Sequence, residues 1–569
     1  MENNKNKEII GIIQEGTTEL RKDSFSACTE LTSIFIPDSV TKIEECVFSR
    51  CKRLVSIVVS KDNKVFDSRD NCNAIIETKS NTLIAGCKNT IIPNSVTEIG
   101  WYSFLGCTGL TSIIIPDSVT ELGMFSFAFC TGLNSIVIPD SVTEIGVKSF
   151  LGCTGLTSIV IGKSTNIIND HVFSDCTNLA SIIVSEDNKV FDSRENCNAI
   201  IETESNSLII GCKNTTIPDS VMEIGRYSFR NCASLNSIII PDMVKKIGMY
   251  SFCDCTDLTS IVIPDSVMEI GESAFSGCSS LTSIVIPNSV KRLGDDAFRG
   301  CSGLTSIVIP DSVMKIGNFA FDGCTGLTSI VIPDSVTEIG SGSFHNCTGL
   351  TSIVIPDSVK KFEDYAFSDC TALTSIVIPD SVMEIRNFAF DGCTGLTSIV
   401  IPDSVKSIGW YSFRDCTSLT SIIIGNSVKE IGTGAFSGCT CLSSIVIPDS
   451  VVEIENECFS GCTGLTSIVI GNSVMFIGDS FFSGCKSLVS IVVPDSVLEI
   501  GSYSFCDCKS LTSIIIGNSV RKIGYCAFSG CSSLKTIKVP AIKSNFYKDY
   551  LPKELHDLIV EMHVEMNSN

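Results

Sequence analysis

A 23-residue unit recurs along most of this chain and constrains its fold more than any other feature. The unit CSGLTSIVIPDSVMKIGNFAFDG begins at Cys301 and is followed at once by the next Cys. The same register holds from Cys28 to Cys531, interrupted by two longer units of 56 residues. A unit this short cannot bury an apolar core alone, so neighbouring units must stack. The sequence therefore predicts one solenoid of stacked coils.

Alternating apolar and polar residues predict one strand in each unit. Ile307 and Ile309 alternate with Ser306 and Val308, and a strand points successive side chains to opposite faces. The triplet Pro-Asp-Ser that begins at Pro310 ends the strand, because Pro cannot donate to a sheet ladder. The return to the next unit has room for only a helical or 3₁₀ turn. The predicted fold class is an α/β repeat solenoid, with a parallel β-sheet on one face and short helical or 3₁₀ turns on the other.

The full repeat pattern, I-G-x-x-[AS]-F-x-x-C-x-x-L-T-S-I-x-I-P-x-S-V, closely resembles the BspA-type branch of the leucine-rich repeat class over residues 20–540. Proteins of that family are typically surface or secreted proteins of microbes and parasites, implicated in adhesion to host proteins and other cells, without enzymatic activity in the repeats. The resemblance implies a non-enzymatic protein-binding solenoid, a BspA-like surface protein in adhesion or host-cell interaction, whose partner is a protein.

An intracellular protein-interaction scaffold is the alternative. The apolar run from Ile9 to Ile13 is too short for a secretory signal, and no window is apolar enough to predict a membrane span. The resemblance implies the cell surface, whereas the absence of a visible signal or anchor favours the cytoplasm. The localisation therefore stays open at this point.

Charge and motifs argue against other classes of function. The 41 Lys and Arg residues against 63 Asp and Glu give a formal charge of −22, which disfavours nucleic acid and anionic membranes as partners. The four His residues are dispersed, and no phosphate-binding Gly loop, nucleophile elbow or metalloprotease motif is present. The sequence predicts no enzyme and no cofactor.

The repeat boundaries predict three segments. Residues 1–27 are expected to form an N-terminal cap with a degenerate first repeat, 28–540 the solenoid, and 541–569 a C-terminal helical cap or tail. Each 56-residue unit contains a predicted β-hairpin insertion, near 60–88 and 185–213. The second insertion repeats the first at a shift of 125 residues with few changes.

Cysteine is abundant, with 30 residues, and 20 of them occupy one position of the repeat. These ladder cysteines are predicted to pack beside the Phe column. Folding the two hairpins about their polar turns places Cys72 opposite Cys87 and Cys197 opposite Cys212, which makes them candidate disulfide pairs. Reduced, half-buried thiols are the alternative, because no export signal supports an oxidising compartment.

The Asp that follows Pro also forms a column, as at Asp311, Asp334 and Asp357. Stacked carboxylates could hold Ca²⁺, but Asp is equally a common turn residue. Asn replaces it at Asn288 and Asn426 without disturbing the repeat. The sequence therefore predicts no metal site.

The outward positions of the strands predict the binding face. They form one column of Ser and one of Val or Ile, an uncharged and partly apolar strip of the kind that often marks an interaction surface. The same residues are also simply favoured on a parallel sheet. The candidate binding face comprises Ser260, Val262, Ser283, Val285, Ser306, Val308, Ser329, Val331, Ser352 and Val354.

Overall fold

The computed structural model of the protein describes residues 8–22, 24–543, 547–548, 551 and 553–562. The chain divides into two compact units, residues 1–281 and 282–569. Each unit is a stack of coils, and most regular coils contribute a long strand and a short strand to two separate ladders.

In the first unit the long strands begin at the conserved Ser of the repeat and the short strands end at its buried Ile or Leu. The long strands are Ser33–Ile36, Ser56–Val59, Ser135–Val137, Ser158–Ile161, Ser181–Val184, Ser237–Ile239 and Ser260–Val262. The short strands are Glu19–Leu20, Lys42–Ile43, Glu98–Ile99, Glu121–Leu122, Glu144–Ile145, Ile167–Ile168, Glu223–Ile224, Lys246–Ile247 and Glu269–Ile270.

The second unit repeats this arrangement without insertions. Its long strands are Ser283–Val285, Ser306–Val308, Ser329–Val331, Ser352–Val354, Ser398–Ile401, Ser421–Ile424, Ser444–Val446, Ser467–Val469, Ser490–Val493, Ser513–Ile516 and Thr536–Pro540. Its short strands are Arg292–Leu293, Lys315–Ile316, Glu338–Ile339, Lys361–Phe362, Glu384–Ile385, Ser407–Ile408, Glu430–Ile431, Glu453–Ile454, Phe476–Ile477, Glu499–Ile500 and Lys522–Ile523.

Strands of successive regular coils pair in parallel at the repeat offset. Ser158 lies opposite Ser181 and Ile159 opposite Ile182, so identical positions of neighbouring coils are adjacent. In the strand Ser306–Val308 the central Ile is buried while the Ser and Val on either side of it are exposed. The prediction of a solenoid of stacked parallel coils is confirmed.

The predicted helical turns on the return side are not found. Within residues 28–540 the structure contains no helix apart from the 3₁₀ segments Arg69–Asn71 and Arg194–Asn196 of the two hairpins. In a regular coil the return is a chain of tight turns, with left-handed backbone at Phe319 (φ 52°) and Gly323 (φ 69°). The return therefore cannot continue as a helix.

Hydrogen bonding explains why the return consists of tight turns and is not helical. Alternate N–H groups of the return donate to the next coil, as from Phe319 to the Ser341 carbonyl (2.8 Å) and from Phe321 to the Ser343 carbonyl (2.9 Å). Those donors are unavailable for bonds within their own coil. The return side is held together between coils, as a sheet is.

A column of stacked Phe side chains forms the centre of the core. Phe321 is fully buried, and its ring lies 5.6 Å from that of Phe298 and 5.4 Å from that of Phe344, centroid to centroid. Leu and Ile of the strand and Val of the turn complete the packing, as with Leu327 and Val336, which are also fully buried. This burial is the main contribution to stability, because each coil has few residues of its own to bury.

Each hairpin is part of the core rather than an appendage. The first comprises Phe66–Asp67, Ala74–Glu77 and Thr82–Gly86, and the second Phe191–Asp192, Ile200–Glu202 and Ser207–Ile210. The strands of each hairpin pair antiparallel, and Thr82–Gly86 then pairs in parallel with Glu98–Ile99. Each of these hairpins starts a new short-strand ladder in the first unit.

The first hairpin buries both of its faces. Ile76 packs in a cluster with Ile99 and Phe104, whereas Ile75 packs in a second cluster with Leu54. Both side chains are fully buried. The hairpin strands therefore separate two parts of the core that would otherwise meet directly.

The end segments complete the stack in different ways. Ile10–Gly11 pairs with Ser33–Ile36 at the repeat offset, as expected for a degenerate first repeat. The C-terminal segment was predicted to be helical, but only the 3₁₀ helices Ala541–Lys543 and Lys553–Leu558 and residues 547–548 are helical among its described residues. Ile559–Met562 is a strand that pairs in parallel with Thr536–Pro540. It satisfies backbone groups that the last long strand would otherwise leave unpaired.

The ladder cysteines do more than fill space. Most of their thiols donate a hydrogen bond to the carbonyl of a core Phe in the preceding coil, as from Cys324 Sγ to the Phe298 carbonyl oxygen (3.2 Å). Cys347 makes the same bond to Phe321 (3.1 Å). Burial raises the pKa of Cys324 well above its usual range, so the thiol keeps its proton. The Cys column therefore satisfies backbone carbonyls inside the core.

Replacing Cys324 with alanine is expected to destabilise the protein by about 1–2 kcal/mol, because a buried volume and one hydrogen-bond donor are lost together. Cys441 is exposed, so Cys441→Ala is the matched control and should change stability by less than about 0.5 kcal/mol. Urea unfolding of both variants measures the difference. Equal effects of the two substitutions would show that the thiol bond contributes nothing.

Candidate binding surface

The candidate surface is formed by the outward side chains of the long strands. In each of these strands one Ile is buried, so the residues immediately before and after it point away from the core. All ten predicted residues of the binding face are exposed. The exposed fractions of the five Val residues lie between 58% and 72%.

The structure places the predicted residues in register with the same positions of neighbouring coils within each unit. In the first unit Ser260 pairs with Ser237 and Val262 with Ile239. In the second unit Ser283 pairs with Ser306 and Val285 with Val308. The strand that carries Ser329 and Val331 pairs with the one that carries Ser352 and Val354 in the same way. Each unit therefore presents a Ser column beside an apolar column.

A recess of about 980 Å³ lies on the same side of the second unit, further along the chain than the predicted residues. Ser421, Ile423, Val446 and Val469 line it. The three apolar side chains among them are 58–60% exposed. Sequence analysis did not single out this part of the face.

The turns that follow the long strands contain a sequence signal for this recess. Here the coils alternate between Pro-Asp and Gly-Asn turns, with Gly425-Asn426 and Gly471-Asn472 on either side of Pro448. A Cβ atom at Gly425 would lie 2.5 Å from the Pro402 carbonyl oxygen, so only Gly fits this close approach. The alternation of Pro-Asp and Gly-Asn turns therefore indicates the coils in which the ends of the long strands differ from those of the other coils.

The Asp column has a structural role at these turns. The N–H of Asn426 donates to the Asp403 carboxylate (2.6 Å), and that of Asn472 donates to Asp449 (2.7 Å). Among the described residues no group of three His, Cys, Asp or Glu side chains is placed to hold a metal ion. The carboxylates in these positions bond to the backbone of the next coil.

The hairpin cysteines are thiols in the structure. Cys72 packs in the cluster that contains Phe104, whereas Cys87 packs in the cluster that contains Leu54. Burial raises the pKa of Cys72 to about 11, and it raises the pKa of Cys87 as well. A disulfide would require one side chain to leave its cluster, so the packing favours the reduced state. The disulfide pairs Cys72–Cys87 and Cys197–Cys212 stay a prediction.

Comparison with known families identifies the class of protein that this fold defines. The model of the BspA type leucine rich repeat region, with 6 copies, matches residues 2–86, 75–202, 199–328, 314–443 and 429–551. The matches cover nearly the whole chain, which therefore belongs to the BspA-type leucine-rich repeat family. The comparison with curated proteins gave no match.

Two solved structures of leucine-rich repeat proteins are similar to this chain. A leucine-rich repeat protein from Bacteroides ovatus is 33% identical, with a TM-score of 0.57 over 66% of this chain and 98% of its own. A leucine rich cell surface protein from Faecalibacterium prausnitzii is 30% identical, with a TM-score of 0.40 over 55% of this chain and 82% of its own. Among the residues that the structure describes, no helix is long and apolar enough to cross a bilayer.

Proposed function

We propose that this chain is a non-enzymatic repeat protein that binds a protein partner through the exposed side of its long strands. The observation that carries the proposal is the column of exposed Val and Ile side chains in each unit. Apolar side chains aligned on a regular sheet offer a continuous contact surface. The formal charge of −22 favours a protein over nucleic acid as the partner.

Adhesion or host-cell interaction at the cell surface is the role we propose for this binding. Membership of the BspA-type family supports it, because such proteins are typically displayed or secreted. The long uncharged face suits adhesion, since many weak contacts along repeated coils add up to a stable attachment.

A double substitution on the strand face tests the binding surface. The double variant Val308→Lys, Val331→Lys is compared with the parent protein for binding to surface proteins extracted from its target cells. Its affinity should be at least about tenfold lower, because the complex would bury two charges against an apolar partner. The same protein preparation should keep its unfolding temperature, since both side chains are more than 60% exposed in the parent protein.

Met314→Lys is the matched control, because Met314 is 56% exposed but lies outside the long strands. Its capture should equal that of the parent protein. Capture that is unchanged in the double variant, or equally reduced in the Met314 variant, would contradict the proposed surface.

An intracellular scaffold is the second candidate, and the unpaired thiols favour it. Cys72, Cys87, Cys197 and Cys212 are buried thiols, a state that a reducing compartment preserves. Brief protease treatment of intact source cells separates the two roles. Loss of the protein supports display at the surface, whereas survival until lysis supports the scaffold.

A further inference from the structure

Basic side chains line a small cavity beside the second hairpin, in the first unit. The cavity measures about 70 Å³ and lies where the coil containing His171 meets the coil containing Tyr227. The two rings are in contact, with centroids 3.9 Å apart and planes inclined by 42°. Arg226 and Arg230 also line the cavity. The second hairpin lies between these two coils in the sequence, so His171 and the two arginines come together only in the folded chain.

Arg230 lacks a carboxylate partner among the described residues. Its guanidinium carbon lies 5.6 Å from the ring centroid of Tyr227 and 5.7 Å from that of Tyr250. Its Nε is buried and has no hydrogen-bond partner. A buried charged donor without an acceptor is costly, so an anion from outside the chain would stabilise it.

Other arginines in the same place of the repeat are paired. Arg299 and Arg414 also stand two residues before a ladder Cys. Arg299 binds Asp322 at 3.0 Å and Arg414 binds Asp391 at 2.6 Å. The coils adjacent to Arg230 carry no Asp at that position, because Ser174 and Cys253 stand there.

A second arginine adds positive charge at the cavity, and the charge of Lys148 acts on His171 from outside the lining. Arg226 donates to the Tyr227 hydroxyl (2.6 Å), and its guanidinium carbon lies 4.5 Å from the centre of that ring. Burial lowers the pKa of His171, and the charges of Arg230, Lys148 and Arg226 lower it further. Three cations therefore act on one half-buried ring, and the Asp170 carboxylate opposes them.

Two carboxylates lie nearby but leave the cavity basic. Asp175 accepts a hydrogen bond from the Asn231 amide. Burial raises the pKa of this carboxyl group, and the charge of Arg230 opposes that rise without forming an ion pair. Asp170 is exposed to solvent. Neither forms an ion pair with Arg226 or Arg230 in the described part of the chain. The guanidinium groups thus retain donors for a ligand.

The first hairpin provides an internal comparison. At the shift of 125 residues, Cys46, Trp101 and Leu105 replace His171, Arg226 and Arg230, while Tyr102 corresponds to Tyr227. The cavity there measures about 20 Å³. A coil can therefore meet a hairpin without any basic side chain at these three positions, so folding alone does not account for the charges at the second junction.

We propose that the cavity beside the second hairpin binds a small oxyanion of the phosphate or sulfate type, held by Arg226 and Arg230. Guanidinium groups donate to such oxygens in pairs, which favours a tetrahedral oxyanion with more than one negative oxygen. The small volume suits a single ion or one charged group of a larger molecule. This site is separate from the strand face of the proposed function.

Titration with inorganic phosphate at low ionic strength tests the proposal. Calorimetry should show saturable binding to the parent protein, and the ring-proton resonances of His171 should shift with the same dependence on concentration. Arg230→Leu and Arg226→Trp introduce the residues of the first junction and should weaken binding about tenfold or more, which corresponds to about 1.4 kcal/mol. A parallel titration with phosphoserine distinguishes a free ion from the phosphate group of a larger molecule. Binding that is tighter than that of inorganic phosphate indicates a phosphate monoester, whereas weaker binding indicates a free ion.

Arg521→Leu is the control for loss of charge, because Arg521 is exposed and distant in sequence from the cavity. It should bind phosphate like the parent protein. Binding that is undiminished in Arg230→Leu, or a parent protein in which phosphate leaves the His171 resonances unmoved at millimolar concentration, overturns the proposal. The His171 resonances report on the parent protein itself, so the test holds even if a variant folds poorly.

Discussion

Replacing Phe321 with alanine is expected to cost about 3–5 kcal/mol, the largest effect of any single substitution considered for this protein. Phe321 is fully buried and stacks on Phe298 and Phe344. Its removal leaves a cavity that touches three successive coils. Because coils are stabilised mainly by their nearest neighbours, hydrogen-exchange protection should fall first in residues 298–347. Hydrogen exchange followed by mass spectrometry, together with urea unfolding, measures both effects.

Phe319 is the matched control for this prediction. It lies two residues before Phe321, is half-buried, and has a positive φ of 52°. Other coils carry Gly342 and Gly434 at the same position. Phe319→Gly should therefore change stability by less than about 1 kcal/mol, because the relief of backbone strain offsets the lost contacts. Comparable losses in the two variants would show that the stacked column is not the main source of stability.

Replacing Gly86 with alanine is the substitution with the second largest expected effect. A Cβ atom at this position would lie 2.1 Å from the ring of Phe104, which is 1% exposed and stacks on Phe127 at 4.9 Å. The ring would have to move within a closely packed core, at a cost of about 3 kcal/mol. The thermal unfolding temperature and the hydrogen exchange of residues 72–107 are the measurements.

Two further variants make this test specific. Gly211 meets Phe229 at the same distance of 2.1 Å in the second hairpin, so Gly211→Ala should behave alike. A Cβ atom at Gly109 would come closest to the flexible Lys88 side chain, at 3.0 Å, with the Lys52 carbonyl oxygen in ordinary contact at 3.4 Å, and Gly109→Ala should cost less than about 0.5 kcal/mol. A mild effect at Gly86, similar to that at Gly109, would indicate that the hairpins pack loosely and are not part of the core.

The coil and its register could be predicted from the sequence because the spacing of Leu, Ile, Phe and Cys is strict. The helical return could not be excluded in the same way. Four residues such as Asn-Phe-Ala-Phe fit a helical turn locally, and only the neighbouring coil supplies the carbonyls that accept their N–H groups. A signal was nevertheless present, because Gly, Asn or Asp stands before many ladder cysteines, as at Gly323 and Asn346, and these residues tolerate left-handed backbone.

The hairpins and the basic cavity show a different limit of sequence reasoning. The two strands of each hairpin could be predicted, but the burial of both faces depends on which coils lie on either side. The thiol of Cys324 leaves no sequence signature of its hydrogen bond to the Phe298 carbonyl. The contact between His171 and Tyr227 depends on coils separated by a whole hairpin. The difference between Leu105 and Arg230 in otherwise similar insertions was the available signal for that cavity.

The hydrogen bonds between one regular coil and the next repeat at equivalent backbone positions along the chain. This regularity has a genetic consequence. A coil such as 301–323 offers its neighbours nearly the same Phe, Cys, Ile and Val positions as the coil at 324–346. Unequal crossing-over between the DNA segments that encode such similar coils would add or remove whole coils, and each new junction would have the usual partners. Variation in allele length by multiples of 69 base pairs, three for each of 23 residues, is therefore compatible with a folded product. Insertions of other lengths would break the ladder unless, like the hairpins, they brought apolar side chains that pack into the shared core.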